Sequence, residues 1–306
     1  MIRPLYPTDL LLLLISYRRM LPNQALTRDS LGQRSPLSPQ AFLEHWLPLG
    51  GRRHTWVCLE RGHIRGLVSI RSCAGPTAWQ IDYLQADEEH CLALLDRASA
   101  VAAERGVRKL FLRLLSDSPL IDGARRAGFS SYATDCIYRY CGAAGQRSDE
   151  APGPYHFRPK ASGDEHLLFA LYNVALPPPV RTAEGMTLAE WQETRDRGFW
   201  LEQRREFVLE KQDSAVAWLR VSAAGGAGSF EIIFHQLEED ALEWLVNYGL
   251  SRLDGKSAIV CVAYVFQEPL PRLLERLEFE KIAQSTKLVK ELAIRIKEPS
   301  FMPVQA

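Results

Sequence analysis

The chain has 306 residues, more than one hydrophobic core usually serves, so two domains are expected. Its 46% hydrophobic and 24% charged residues are those of an ordinary globular protein. Lys+Arg and Asp+Glu balance at 37 each; residues 1–145 hold 18 basic against 13 acidic side chains (+5) and residues 155–306 hold 18 against 22 (−4), an offset that suits two halves attracting each other and argues against a dedicated nucleic-acid binder.

Taken in chain order, "MIRP" reads as a short first strand. The run "LLLLLI" at 10–15 is too short to cross a bilayer. It follows Thr8 and Asp9, either of which caps a leucine-rich helix, and it closes on Arg18-Arg19 without the small-residue site of a signal peptide. Next, "TWVCLERGHIRGLVSIRS" reads as a hairpin around a Gly-containing turn and "AWQIDYLQA" as a strand. Leu92, Leu95, Ala98, Val101 and Ala102 then recur at helical spacing. A strand "KLFLRLL", a second helix and a closing strand complete the first half. The six cysteines are scattered, none in a C-x-x-C pair, which fits a reducing cytoplasm and gives no metal site.

The stretch "CGAAGQRSDEAPGPY" has linker composition, and after it the sequence restarts, "HFRP" echoing "MIRP". At an offset of 150 residues the halves align without a gap: Glu60 meets Glu210, Glu88-Glu89 meets Glu238-Glu239, Pro119-Leu120 meets Pro269-Leu270, Arg126 meets Arg276 and Phe129 meets Phe279. Two copies of one unit follow. Each reads β, α, α, three β, α, β, α, β, which makes an α/β (α+β) domain with a mixed, mostly antiparallel sheet covered by helices. The domains are placed at 1–141 and 155–297, with a linker at 142–154 and a tail at 298–306.

This order, with "IRPLYPTDL", "VCLERGHIRGLVSI" and "PLIDGARRAGFSSY" (Gly128-Phe129 before the last strand), resembles the GNAT superfamily of N-acetyltransferases in tandem. The resemblance implies acyl-CoA in the cleft where the fourth and fifth strands splay, its pantetheine on the strand backbone. It also implies a pyrophosphate on the turn into the next helix, in a Gln/Arg-x-x-Gly-x-Gly/Ala motif. Glycines there admit the phosphates and the helix N-terminus supplies N–H donors. Ala86, Glu89 and Cys91 hold the three motif positions in the first copy and match none; Gln236, Glu239 and Ala241 hold them in the second and match two. Both turns carry three acids, Asp87-Glu88-Glu89 and Glu238-Glu239-Asp240, which stabilise a helix start through its dipole and oppose a phosphate.

The cofactor-binding positions implied by the resemblance are Leu84 and Gln85 in the first copy and Phe234, Gln236, Glu239 and Ala241 in the second, with acetyl-CoA as donor. The family's usual Tyr falls on Ala124 and Leu274, so that acid is missing twice. Asp82 on the fourth-strand run and His235 at the second strand–helix junction are the catalytic candidates; the competing readings are a solvated charge on an open strand face and a helix-entry residue. Tyr264 reads either as cleft-lining or as core. The loop 171–191 holds three prolines that stiffen an extended piece, then a helix capped at Thr187; Arg181 and Glu184 in it either contact an acceptor or brace the first domain.

The leading expectation is an N-acyltransferase acting on a small-molecule or peptide amine. The alternative is a non-catalytic tandem binding or scaffold protein, and a transferase using an aminoacyl-tRNA donor ranks last. The paired halves suit a monomer with no membrane partner.

Overall fold

The computed structural model describes residues 1–9, 23–27, 53–142, 151–195, 203–224 and 226–293. The leucine-rich run 10–15 lies outside the described residues.

Twelve strands form one sheet: β1 (Ile2–Pro4), β2 (His54–Glu60), β3 (His63–Ser72), β4 (Ala78–Gln85), β5 (Lys109–Leu115) and β6 (Ser130–Tyr140) from the first copy, and β7 (His156–Pro159), β8 (Gln203–Lys211), β9 (Ser214–Ala224), β10 (Ala227–Phe234), β11 (Ala258–Tyr264) and β12 (Phe279–Glu291) from the second. Among the described residues there are seven α-helices: α1 (Glu88–Glu104), α2 (Leu120–Arg126), α3 (Glu165–Ala175), α4 (Pro178–Glu184), α5 (Leu188–Thr194), α6 (Glu239–Arg252) and α7 (Pro269–Arg276). No helix among the described residues is long and apolar enough to cross a membrane.

The strand order is β1-β2-β3-β4-β5-β12-β6-β11-β10-β9-β8-β7. Each copy lays down five strands in sequence and then hands its sixth to the other. Strand β12 pairs with β5 from Ser285↔Leu115 to Glu291↔Lys109, β6 pairs with β11 from Val260↔Arg139 to Tyr264↔Asp135, and the two exchanged strands pair with each other at the centre. The cores are exchanged too. Leu288 of β12 packs with Leu94, Leu95 and Leu112 of the first copy, while Cys136 and Tyr138 of β6 pack with Leu242, Leu245 and Phe230 of the second. The linker therefore separates the copies in sequence and not in space.

Helices α1, α2, α6 and α7 build those two cores on one face of the sheet. On the other face Leu168, Tyr172, Trp191 and Trp218 pack with Ile233 and Tyr264. The duplication shows at each copy's start: Arg3 clamps Asp9 at 2.7 and 2.6 Å, Arg158 clamps Asp164 at 2.6 and 2.8 Å, and each Asp also accepts the backbone N–H three residues earlier. In both cases the guanidinium bond holds the carboxyl below its ordinary range against the opposing effect of burial.

The proline run departs from the extended form expected. Pro177 is the extended cap, and Pro178 and Pro179 occupy the first turn of α4, where a missing N–H costs nothing. Thr187 caps α5 as expected, its hydroxyl accepting from Glu190 N–H. Gly185, at φ +139°, ends α4 so close to the backbone of Trp191 that a Cβ would lie 2.4 Å from its nitrogen.

Candidate functional site

A splay opens in each copy where a parallel pair stops. Strands β4 and β5 pair only at Ala78–Gln80 with Lys109–Phe111, and β10 and β11 only at Ala227–Glu231 with Ala258–Val262. The two clefts then differ. In the β3–β4 ladder Ser69 faces Tyr83 and Ile70 faces Ile81, so Asp82 is the extra residue of a β-bulge. The β9–β10 ladder runs without a break.

The first cleft is occupied by the chain itself. Asn23 Oδ1 accepts from Leu84 N–H and Ala25 N–H, both at 3.0 Å, and Asn23 Nδ2 donates to Asp82 O at 3.1 Å. Gln24 N–H donates to Leu84 O at 2.8 Å and its Oε1 accepts from Ala86 N–H at 3.2 Å; Leu26 N–H reaches across to Arg113 O on β5 at 2.8 Å. The backbone groups of Leu84, the position expected to pair with pantetheine, are thus satisfied internally. Asp82 is buried rather than solvated, paired with Arg53 and with Arg71 at 3.5 Å. Gln85 is buried, its Oε1 accepting from the Tyr83 hydroxyl at 3.4 Å. The helix start is closed as well: Asp87 caps α1, accepting from His90 N–H at 2.9 Å and meeting the His90 ring at 2.6 Å. Cys91 is buried beneath it, its thiol pushed up to about 11 by loss of solvent.

In the second cleft, no described segment makes the bonds at Phe234 that Asn23 and Gln24 make at Leu84. Glu238, at the cap position of α6, makes no side-chain cap bond. Its carboxylate pairs with Lys211 at 2.9 Å, and Arg276 holds Glu239 at 2.5 Å and Glu243 at 2.7 Å, so basic groups stand among the acids of that turn. Gln236 is exposed with φ +48°, Ala241 is buried in the first turn of α6, and half-buried His235 follows β10 with its N–H on Val216 O at 3.0 Å. Between β11 and α7, Gln267 is 5% exposed and neither side-chain amide atom has a hydrogen-bond partner. Sequence reading passed over Gln267 because its 150-offset counterpart is Asp117 and no pattern marks a lone amide.

Between the copies, on the face away from the four core helices, lies a cavity of about 110 Å³. Ile233 of β10 and Tyr264 of β11 line it from the two strands of the second splay, and Leu26 and Thr27 of the plugging segment line it from the first copy. The charged groups come from separate elements. Lys287 of β12 donates to the Tyr264 hydroxyl at 2.6 Å and pairs with Glu184 of α4 at 3.1 Å. Tyr132 of β6 donates to Glu184 at 3.2 Å, and Arg113 of β5 pairs with buried Asp135 of β6 at 2.8 Å. Burial and then Glu184 push the Tyr132 hydroxyl well above its ordinary range, so it stays a donor. Of the two loop residues singled out, Glu184 lines this cavity and Arg181 does not. The same loop braces the first copy: Lys109 donates to Thr182 O at 2.8 Å.

The fold, two splayed and helix-covered halves joined in one sheet, is GNAT-like. The chain is similar over 96% of its length, and 99% of the other, to a tandem GNAT protein from the clavulanic acid biosynthesis pathway, with TM-score 0.54 and 13% identity. It is similar over 95% of each chain to a GCN5-related N-acetyltransferase from Sphaerobacter thermophilus, with TM-score 0.55 and 14% identity. No family model and no curated protein matches the sequence.

Proposed function

We propose that the protein is an acyl-CoA-dependent N-acyltransferase in which the second copy holds the donor and the first copy is a non-catalytic support. The observation that carries this is the contrast between clefts: residues 23–27 bond to Leu84, Ala86 and Arg113 in the first, and no described segment does so in the second. The residues of the second cleft fit the donor. Phe234 offers strand backbone, and α6 offers a helix start without a side-chain cap, flanked by Arg276 and Lys211 beside Gln236, Glu239 and Ala241; Gln267, in the turn after β11, carries two buried amide atoms without a partner.

The bound donor supplies a thioester; the acceptor amine forms a C–N bond with its carbonyl carbon as the C–S bond breaks, and the thiolate takes a proton. This chain's residues do the rest. In this reading His235, beside the splay, takes the amine proton, and the Tyr264 hydroxyl, held by Lys287, stands in for the tyrosine missing at Leu274. Asp82, tied to Arg53 and Arg71, is the counter-charge of the plugged copy.

Calorimetric titration of acetyl-CoA tests the reading. One site per chain, weakened by Gln267→Ala and by Gln236→Glu, is expected. No heat at millimolar ligand with folded protein sinks it, and two equivalent sites sink the division of labour.

A further inference from the structure

We propose that the cavity at the seam is the acyl pocket of the second cleft, and that Leu26 of the first copy limits the donor's acyl group to the size of propionyl, about four non-hydrogen atoms.

The last parallel pair of β10 and β11 is Glu231↔Val262, and Ile233 and Tyr264 are the next residues of those strands on the same face. Both line the cavity, so it begins where the splay begins. Helix α6 packs on the opposite face, its Leu242 and Leu245 against Phe230 and Ile232. A donor whose phosphates sit at the start of α6 and whose arm threads the splay therefore brings its acyl end out into the cavity. Calling this an acyl pocket rests on the acyl-transfer reading.

Each charged group on the wall already has its partner: Arg113 and Lys287 pair with Asp135, Lys287 also with Glu184, Arg195 with Glu165 and Glu206, and Arg220 with Glu231. Between them stand the rings of Tyr132, Tyr172, Trp191 and Trp218. Such a wall excludes an ionised ligand, whose charge would be buried unpaired, and accepts an uncharged one. The indole N–H of Trp218, a residue 2% exposed, has no hydrogen-bond partner among the described residues, and the carbonyl oxygen of an acyl group is the acceptor it lacks. An apolar cavity of about 150 Å³ holds benzene, so one of about 110 Å³ admits about four non-hydrogen atoms; acetyl and propionyl fit, and hexanoyl does not. The limit is set from the other copy. Leu26, in the segment that plugs the first cleft, is held by its N–H on Arg113 O at 2.8 Å, lines the cavity, and packs on the cluster of Ile137, Val260 and Val262. The first copy, closed to a donor of its own, thus helps to choose the donor of the second.

The test is calorimetry of CoA, acetyl-CoA, propionyl-CoA and hexanoyl-CoA into the full chain. Propionyl-CoA is expected to bind tightest, about fourfold tighter than acetyl-CoA, the gain from burying one more methylene. Hexanoyl-CoA, which overfills the pocket, is expected to bind at least about tenfold more weakly than propionyl-CoA. Leu26→Ala is expected to raise hexanoyl-CoA above propionyl-CoA. Leu26→Trp is expected to fill the pocket and bring propionyl-CoA down to the affinity of CoA, with CoA itself unchanged, and it serves if the alanine variant fails to fold. Trp218→Phe, which keeps a ring and removes the N–H, is expected to weaken both short esters several-fold and to leave CoA as it was. Hexanoyl-CoA binding as tightly as propionyl-CoA, or an order of preference that neither Leu26 variant alters, overturns the inference and leaves the donor reading standing. No binding of CoA or of any ester by the folded chain sinks both.

Discussion

The two copies share an offset, a clamp at the start and a splay, yet they solve the splay differently. In the first, Asn23 and Gln24 satisfy the free backbone of Leu84 and Ala86, and Asp87 satisfies the start of α1. In the second, the equivalent groups at Phe234 and Glu238 have no such partners among the described residues, and Gln267 is left with an unmatched amide. A polar group that is satisfied internally contributes stability; one that is left open is available to a ligand. The copies divide these two roles between them.

The largest expected effect comes from removing what they share. Truncation after Glu278 deletes β12, which strips β5 and β6 of a neighbour and Leu288 from the first core. Loss of cooperative melting of both copies, followed by circular dichroism, is expected; a first copy that melts normally breaks the account of exchange. Next, Asn23→Ala removes three hydrogen bonds and is expected to cost about 2–3 kcal/mol of stability in urea titration without changing acetyl-CoA affinity. Its opposite is Gln267→Ala, expected to weaken acetyl-CoA about tenfold with stability unchanged, because the amide it removes makes no bond in the folded protein.

The Arg3–Asp9 and Arg158–Asp164 clamps are predicted to behave alike. Both carboxyls titrate lower folded than unfolded, so their stabilisation is fully present above the ordinary carboxylate value, near pH 4, and is lost as pH falls through the lower folded value. Asp164→Asn is expected to cost about 2 kcal/mol at pH 7 and to flatten the loss of stability in acid. The smallest contrast is between caps: Asp87→Ala costs about 1 kcal/mol, whereas Glu238→Ala leaves melting unchanged.

The duplication, the order of the strands and the α/β class were legible because hydrophobic period and a constant offset report which face of each element is buried; between β7 and β8, however, three helices, α3, α4 and α5, stand where two were expected, and most of the matching stretch of the first copy lies outside the described residues. The exchange of β6 and β12 was not: both read as closing strands, and nothing local in "YATDCIYRY" or "STKLVKEL" says whose fifth strand lies beside them. The plug was hidden because no local pattern marks Asn23 or Gln24, and Leu84, the partner of Asn23, lies 61 residues away. The cavity was legible only in part. Glu184 and Tyr264 were noticed in sequence, but Lys287 and Tyr132, whose roles depend on the exchange, were not.

The exchange also sets the order in which the molecule can be finished. As the chain leaves the ribosome, strands β1 to β5 can pair with one another, but the outer side of β5 must wait for a partner more than 160 residues downstream. Until β12 emerges, β5 presents an open edge able to recruit β6 or another chain. The pairing of β12 is therefore the slow event in this protein's folding, and a nascent chain arrested before residue 279 is the form most exposed to aggregation and proteolysis.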